Sequence, residues 1–247
     1  VFKHAFNQST MKQIFYPANE RGTNDLGWLK ANFSFSFASY YDPAKVHFGA
    51  LRVLNDDIIA GGTGFGRHPH DNMEIITIPL SGALEHKDSM GNVGVITAGE
   101  VQVMSAGTGI EHSEYNHSKT EAANTLQIWL FPKVRNIQPR YDQKNFKDKL
   151  KLNELTTLVS PDKNNNDTLW INQDATFSMG NFEAKKMINY KIKTPGNGLY
   201  VFVLDGSLKI NGQVLNKRDA LGVYDTVSIT IETEAGSQLL LMEVPML

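Results

Sequence analysis

The sequence predicts an all-β protein built from two β-barrel or sandwich units. Three observations lead there. Short apolar or alternating stretches recur along the chain, broken by Gly-, Asn- and Pro-bearing turns every few residues. Helical periodicity is scarce. And Leu80-Ser81-Gly82-Ala83-Leu84 is echoed by Leu204-Asp205-Gly206-Ser207-Leu208, each after an apolar strand, as a duplicated unit would give. Registered on that echo, His68, His70 and Glu74 fall opposite Ile192, Thr194 and Gly198.

The elements follow in order. Met11-Lys12-Gln13-Ile14 reads like a natural start, so residues 1–10 are expected to be a cloning scar or an N-terminal extension. Residues 32–38 alternate strictly, putting Phe33, Phe35 and Phe37 on one face of a half-buried strand as core. Tyr40-Tyr41-Asp42-Pro43 is a turn, residues 51–54 a short strand, and Asp56-Asp57 a turn with solvated charges. The glycines from Gly61 to Gly66 lack the dinucleotide spacing and precede no helix signal, so they read as a loop entering a strand. Residues 73–80 form an apolar strand turned by Ser81-Gly82, and Ser89-Met90-Gly91-Asn92 makes a hairpin turn. Short strands continue to 104, a glycine-rich turn spans 105–109, and residues 125–131 form an apolar strand with Trp129 and Phe131 in the core. The expected organisation is a first unit over 11–141, a polar connection over 142–168 with one short helix or turn near 143–150, and a second unit over 169–247.

Composition excludes several classes. The 247 residues are 41% hydrophobic and 20% charged, ordinary for a globular chain with a sizeable core. A net charge of −2 provides no broad basic field for direct nucleic-acid binding. With no cysteine there is no disulfide, thiolate ligand or thiol nucleophile. No apolar run reaches the length of a membrane span, and a cytoplasmic location is expected.

The chemistry-bearing stretch is Arg67-His68-Pro69-His70-Asp71-Asn72-Met73-Glu74, joined by Glu111-His112-Ser113-Glu114. Residues two apart on a strand point to one face, so His68 and His70 project together, as do His112 and Glu114. Facing each other inside a barrel, these would bring three imidazoles and a carboxylate to one point, a donor set for a divalent cation. Glu74 has the parity to join them. His86 and His117 are read as surface or supporting residues, and His4 and His47 carry no signal.

The spacing from Gly62 through His68, His70 and Glu74 to Gly82, and from Gly99 through Ser105-Ala106-Gly107 to His112 and Asn116, resembles the two motifs of the cupin superfamily. The spacing departs from the usual form: one extra residue precedes Gly82, Ser105 replaces a proline, and the gap before His112 is longer. Those departures, with Gly64-Phe65-Gly66-Arg67-His68-Pro69-His70 and the run from Ser105 to Glu114, are similar to the pirin family. The likeness is dense to Tyr141 and thinner beyond.

The resemblance implies a bicupin with one metal in the N-terminal barrel, held by His68, His70, His112 and Glu114. Glu74, a ligand in many cupins, takes a pocket role. It implies a metal-dependent quercetin 2,3-dioxygenase-like enzyme that opens a flavonol with O2. Fe(II) is the first choice of metal, with Mn, Ni, Co, Cu or Zn as substitutes. Glu114 or Glu74 is expected to take the substrate proton as catalytic base. The expected partners are a small phenolic substrate and O2, and the expected state is a monomer. Two alternatives accompany this reading. One is a redox sensor or transcriptional co-regulator that binds a protein partner; the other is a cupin isomerase.

Overall fold

The protein is described by a computed structural model over residues 11–247. The expectation for residues 1–10 lies outside the described residues. Among the described residues the regular structure is almost entirely strand; its helical content is one 3-10 turn, Ala18–Glu20. The all-β expectation holds.

The strands form two large and two small sheets. The first seven-stranded sheet runs, in spatial order, Arg140–Asn145, Glu100–Ser105, Glu74–Ser81, Ala123–Leu130, Leu51–Ile59, Leu29–Phe33 and Gly22–Asp25. Its four-stranded partner runs Gly64–His70, Ile110–Asn116, Ala83–Asp88 and Val93–Thr97. The second half repeats the plan. Its seven-stranded sheet is centred on Asn197–Asp205 and Ser237–Pro245, and its four-stranded sheet holds Lys186–Lys191, Ser228–Thr233, Ser207–Ile210 and Gln213–Asn216.

The echoed turns occupy equivalent places. Gly82 and Gly206, at φ +73° and +70°, each carry the chain from a large sheet into its small partner. A side chain at Gly82 would lie 2.9 Å from the Ala123 Cβ, and at Gly206 2.8 Å from the Gly236 carbonyl oxygen, so both turns need glycine for space as well as for backbone angle.

Alternation along the strands decides which layer each side chain enters. Ile76, Ile78, Leu126 and Ile128 of the first large sheet meet Phe177, Phe202, Leu240 and Met242 of the second in one apolar core between the halves. The interior of the second half is filled by aliphatic side chains, including Leu199, Val201, Leu221, Ile229 and Ile231. The interior of the first half instead holds buried polar groups, among them Asn55, Asp57, Thr77, His86, Gln102 and Glu114.

Several local expectations are corrected. The strand predicted over 32–38 ends at Phe33, and the chain then bends. Arg52 ties that bend, donating to the Ser36 carbonyl at 2.8 Å and the Val46 carbonyl at 3.0 Å. Phe35 therefore enters the core between the halves, beside Tyr16 and Tyr200, while Phe33 and Phe37 stay with the first barrel. Residues 140–145 are a strand paired with Glu100–Ser105, followed by a turn at Phe146. The strand Lys12–Tyr16 pairs with Ala220–Tyr224 of the second large sheet, and Leu155–Ser160 pairs with Thr176–Phe182. Long-range pairing, invisible to local pattern, sets both. No helix among the described residues is long and apolar enough to cross a membrane.

Asp56-Asp57 is no turn. Both lie inside Leu51–Ile59 and both are buried, pointing to opposite faces. Asp56 faces the second half, where its Oδ2 accepts from Arg21 Nη1 at 3.1 Å and Arg218 Nε at 2.9 Å. Removing one partner of a buried ion pair leaves charge uncompensated, at a cost of about 3–5 kcal/mol. Asp56→Ala should lower stability by that order, read as a shift in the urea unfolding midpoint; an unchanged midpoint would show that the two arginines are hydrated instead.

Candidate metal centre

The strand Ile110–Asn116 lies between Gly64–His70 and Ala83–Asp88 and carries the site. Antiparallel register sets His112 directly opposite His68, and Ile110 opposite His70. On its other edge His112 faces Asp88 and Glu114 faces His86. Pro69 removes one backbone donor from the His-Pro-His strand, which is tolerated because that strand is a sheet edge.

The three imidazoles converge. Ring centroids are 4.9 Å apart for His68 and His70, 4.5 Å for His68 and His112, and 4.9 Å for His70 and His112. The Nε2 atoms of His70 and His112 stand 3.0 Å apart. His68 Nδ1 is 2.7 Å from the Gly66 carbonyl, which can only accept, so Nδ1 donates there and Nε2 is left as the nitrogen for a ligand bond. Burial, then the neighbouring imidazoles, pushes His70 down to about 4 and His112 to about 3. Both rings are therefore neutral near pH 7, the form a metal ligand requires.

Glu114 completes a second overlapping cluster with His86 and His112. It is buried, and its carboxylate is oriented by Gln127 Nε2, donating at 2.7 Å, and by Thr77 Oγ1, donating at 3.3 Å. Gly64 lies tightly against the Glu114 carbonyl, leaving no room for a side chain there. His86, absent from the sequence-derived ligand set, is fully buried rather than on the surface. Its Nε2 pairs with Asp88 Oδ2 at 2.9 Å, and its ring lies against Tyr141. The Nδ1 atoms of His86 and His112 are buried without hydrogen-bond partners. His117 pairs with Glu85 at the surface. Neutral imidazole nitrogens converging beside an oriented carboxylate form a donor set that fits a divalent ion.

Glu74 stands apart. Asn72, at φ +43°, turns the chain between the His-Pro-His strand and Glu74–Ser81, so strand parity does not carry across. The Glu74 carboxylate accepts from Ser105 Oγ at 2.8 Å and from the Asn172 backbone N–H at 3.1 Å. Burial pushes it above the usual carboxylate range, and those two bonds partly offset the shift. Its carboxylate ties the halves and lies outside both the histidine cluster and the lining of the cavity described below.

A cavity of ≈ 290 Å³ reaches the cluster at His68, His70 and Glu114. It lies near the lower end of the about 300–1,000 Å³ range of small-molecule pockets. Its walls include Phe33, Phe37, Phe65 and Trp129. Three of these, Phe33, Phe37 and Trp129, read as plain core from the sequence. Phe65 has the wrong parity to share a face with His68, but a β-bulge shifts the register between His112/Glu114 and re-aims it inward. On the far side of His70 and Trp129 a more open depression of ≈ 740 Å³ reaches solvent.

Asn55 and Asp57 also line the cavity, missed because the double aspartate reads as a turn. The missed signal is that they stand two apart on one strand, as the histidines do. Burial, then the Asp56 and Glu114 carboxylates, pushes Asp57 up to about 8.

Comparison with known proteins places this geometry. A family model described as Pirin matches residues 15–130, and one described as Quercetinase C-terminal cupin domain matches residues 157–244. The chain is 42% identical over 228 residues to a quercetin 2,3-dioxygenase of Escherichia coli K12, covering 92% of this chain and 96% of that protein. It is 42% identical over 227 residues to a pirin-like protein of Caulobacter vibrioides, covering 92% and 97%. The crystal structure of the bacterial pirin YhhW from E. coli in complex with nickel(II) superposes with a TM-score of 0.90 at 40% identity, over 96% of this chain and all (100%) of that one.

The Asp57 shift gives a pH dependence. Between its ordinary value near 3.8 and about 8 the folded chain keeps a proton that the unfolded chain has released. The group therefore costs stability progressively as pH rises through that window. Metal-free Asp57→Asn, which cannot ionise, should gain on the wild type from pH 4 to pH 8. The expected widening is about 4 °C or more in Tm; a constant gap would contradict the shift.

Proposed function

The chain belongs to the pirin family, and on that premise we propose that it is a metal-dependent dioxygenase of the quercetin 2,3-dioxygenase type. The single observation that carries this reading is the meeting of two features. Two overlapping triads, His68/His70/His112 and His86/His112/Glu114, meet at one end of a cavity whose walls include Phe33, Phe37, Phe65 and Trp129. The first suits a divalent cation and the second a flat phenolic ring.

His68, His70, His112 and Glu114 would hold the metal. When bound, a divalent ion supplies Lewis acidity beside the cavity, and a redox ion such as Fe(II) also supplies an electron route for oxygen chemistry. That the bacterial pirin YhhW forms a complex with nickel(II) supports a divalent ion at this site. The other tasks fall to the chain. Phe33, Phe37, Phe65 and Trp129 clamp the ring and keep water out. Glu114 takes the proton of the hydroxyl that enters the cluster, with Gln127 and Thr77 fixing its carboxylate in place. Asp88 holds His86 through Nε2, and the His86 ring, its centroid 5.4 Å from that of His112, braces His112 from behind.

Two measurements test this. Metal analysis of protein purified without a chelating tag, followed by oxygen-electrode assays on a flavonol panel, should show uptake that chelation abolishes and Fe(II) restores. Turnover by metal-free protein at the wild-type rate would sink the reading. Folded His68→Ala and His112→Ala proteins should lose both metal and activity, and Glu114→Gln should lower kcat by about 100-fold or more.

A further inference from the structure

Resting on the dioxygenase reading of the same cavity, we propose that Asn55 and Asp57 form a hydroxyl-recognition subsite. This subsite selects polyhydroxylated flavonols over flavonols that carry only the 3-hydroxyl group.

The observations are geometric. Asn55 and Asp57 are 3% and 5% exposed, lie two apart on Leu51–Ile59, and both line the cavity. The Oδ1 atom of each is buried with no hydrogen-bond partner. Thr125, opposite Asp57 on the neighbouring strand, has a buried Oγ1 that is likewise unpartnered. Buried acceptors without donors destabilise a fold and are rare in native interiors, so the two Oδ1 atoms on the Asn55 and Asp57 side of the cavity need a reason. Around them the lining is apolar, with Leu29, Ala31 and Phe33. A ligand that fits is a flat aromatic ring with O–H donors on its edge.

The strip is also held still. Asp56, between the two residues, points the other way and is gripped by Arg21 and Arg218. Asn124 Nδ2 donates to its Oδ1 at 2.9 Å. The strand cannot rotate its polar face away from the cavity without breaking that network, so the acceptors are preorganised. A site built to meet a hydroxyl discriminates strongly against the analogue that lacks it, because its buried acceptors are then left unpaired.

The test is a binding titration that needs no turnover. Full-length protein loaded with Ni(II) is titrated without oxygen against quercetin and against 3-hydroxyflavone. The wild type should bind quercetin at least about tenfold more tightly. Asn55→Ala and Asp57→Ala should shrink that ratio toward one by weakening quercetin, while binding of 3-hydroxyflavone stays within about twofold. Asp57→Asn, which keeps a carbonyl acceptor and the side-chain shape, should retain most of the discrimination and guards against misfolding of the alanine variant. Equal affinity of the wild type for the two compounds, binding of neither, or full discrimination in both alanine variants overturns the proposal. The two readings separate cleanly. Discrimination without oxygen uptake leaves the subsite standing and removes the dioxygenase reading. Oxygen uptake with equal affinities does the reverse.

Discussion

The antiparallel register of Ile110–Asn116 between two neighbours is the constraint from which the rest of the site follows. It sets His112 beside His68 on one edge and Glu114 beside His86 on the other. A slip of one residue would turn His112 and Glu114 to the opposite face of the sheet and dissolve the cluster. The bulge on the His-Pro-His edge adds a residue without disturbing that pairing, and it brings Phe65 into the cavity. Gly64 permits the close approach, since a side chain there would collide with the backbone of Glu114.

The two halves show how one architecture supports different interiors. Both use a seven-stranded sheet, a four-stranded sheet and a left-handed glycine to pass between them. The second half closes its interior with mainly aliphatic side chains, burying apolar surface. The first half gives up that filling for imidazoles, carboxyls and amides, several of them without partners. Stability is recovered outside the first barrel, in the broad apolar core that the two large sheets share. The second half therefore serves the site by supplying packing rather than ligands.

Leu51–Ile59 joins these two roles. Asp56 on its outer face receives Arg218 from the second half, and Asn55 and Asp57 on its inner face line the cavity. Glu74 does the same work at another point, reaching Asn172 rather than the histidines. Buried carboxylates on the first large sheet thus divide by face: those pointing outward tie the halves together, and those pointing inward shape the pocket.

The fold class and the three histidines were legible because both depend on short-range pattern. Alternation and turn glycines mark strands, and His-x-His on an extended segment must project to one face whatever its partners are. Glu114 was legible for the same reason, two residues from His112 on one strand. The rest was decided by contacts distant in sequence. Asp56-Asp57 looks like a solvated turn until Arg21 and Arg218 arrive from elsewhere to compensate the charge. Glu74 shares parity with His70 on paper, but the turn at Asn72 resets it. Phe65 has the wrong parity until the bulge corrects it, and His86 gains meaning only from the pairing that sets it opposite Glu114. By itself the sequence determined which side chains could gather. The tertiary structure decided which of them face one cavity, because register, bulges and charge compensation are properties of paired strands and not of any single one.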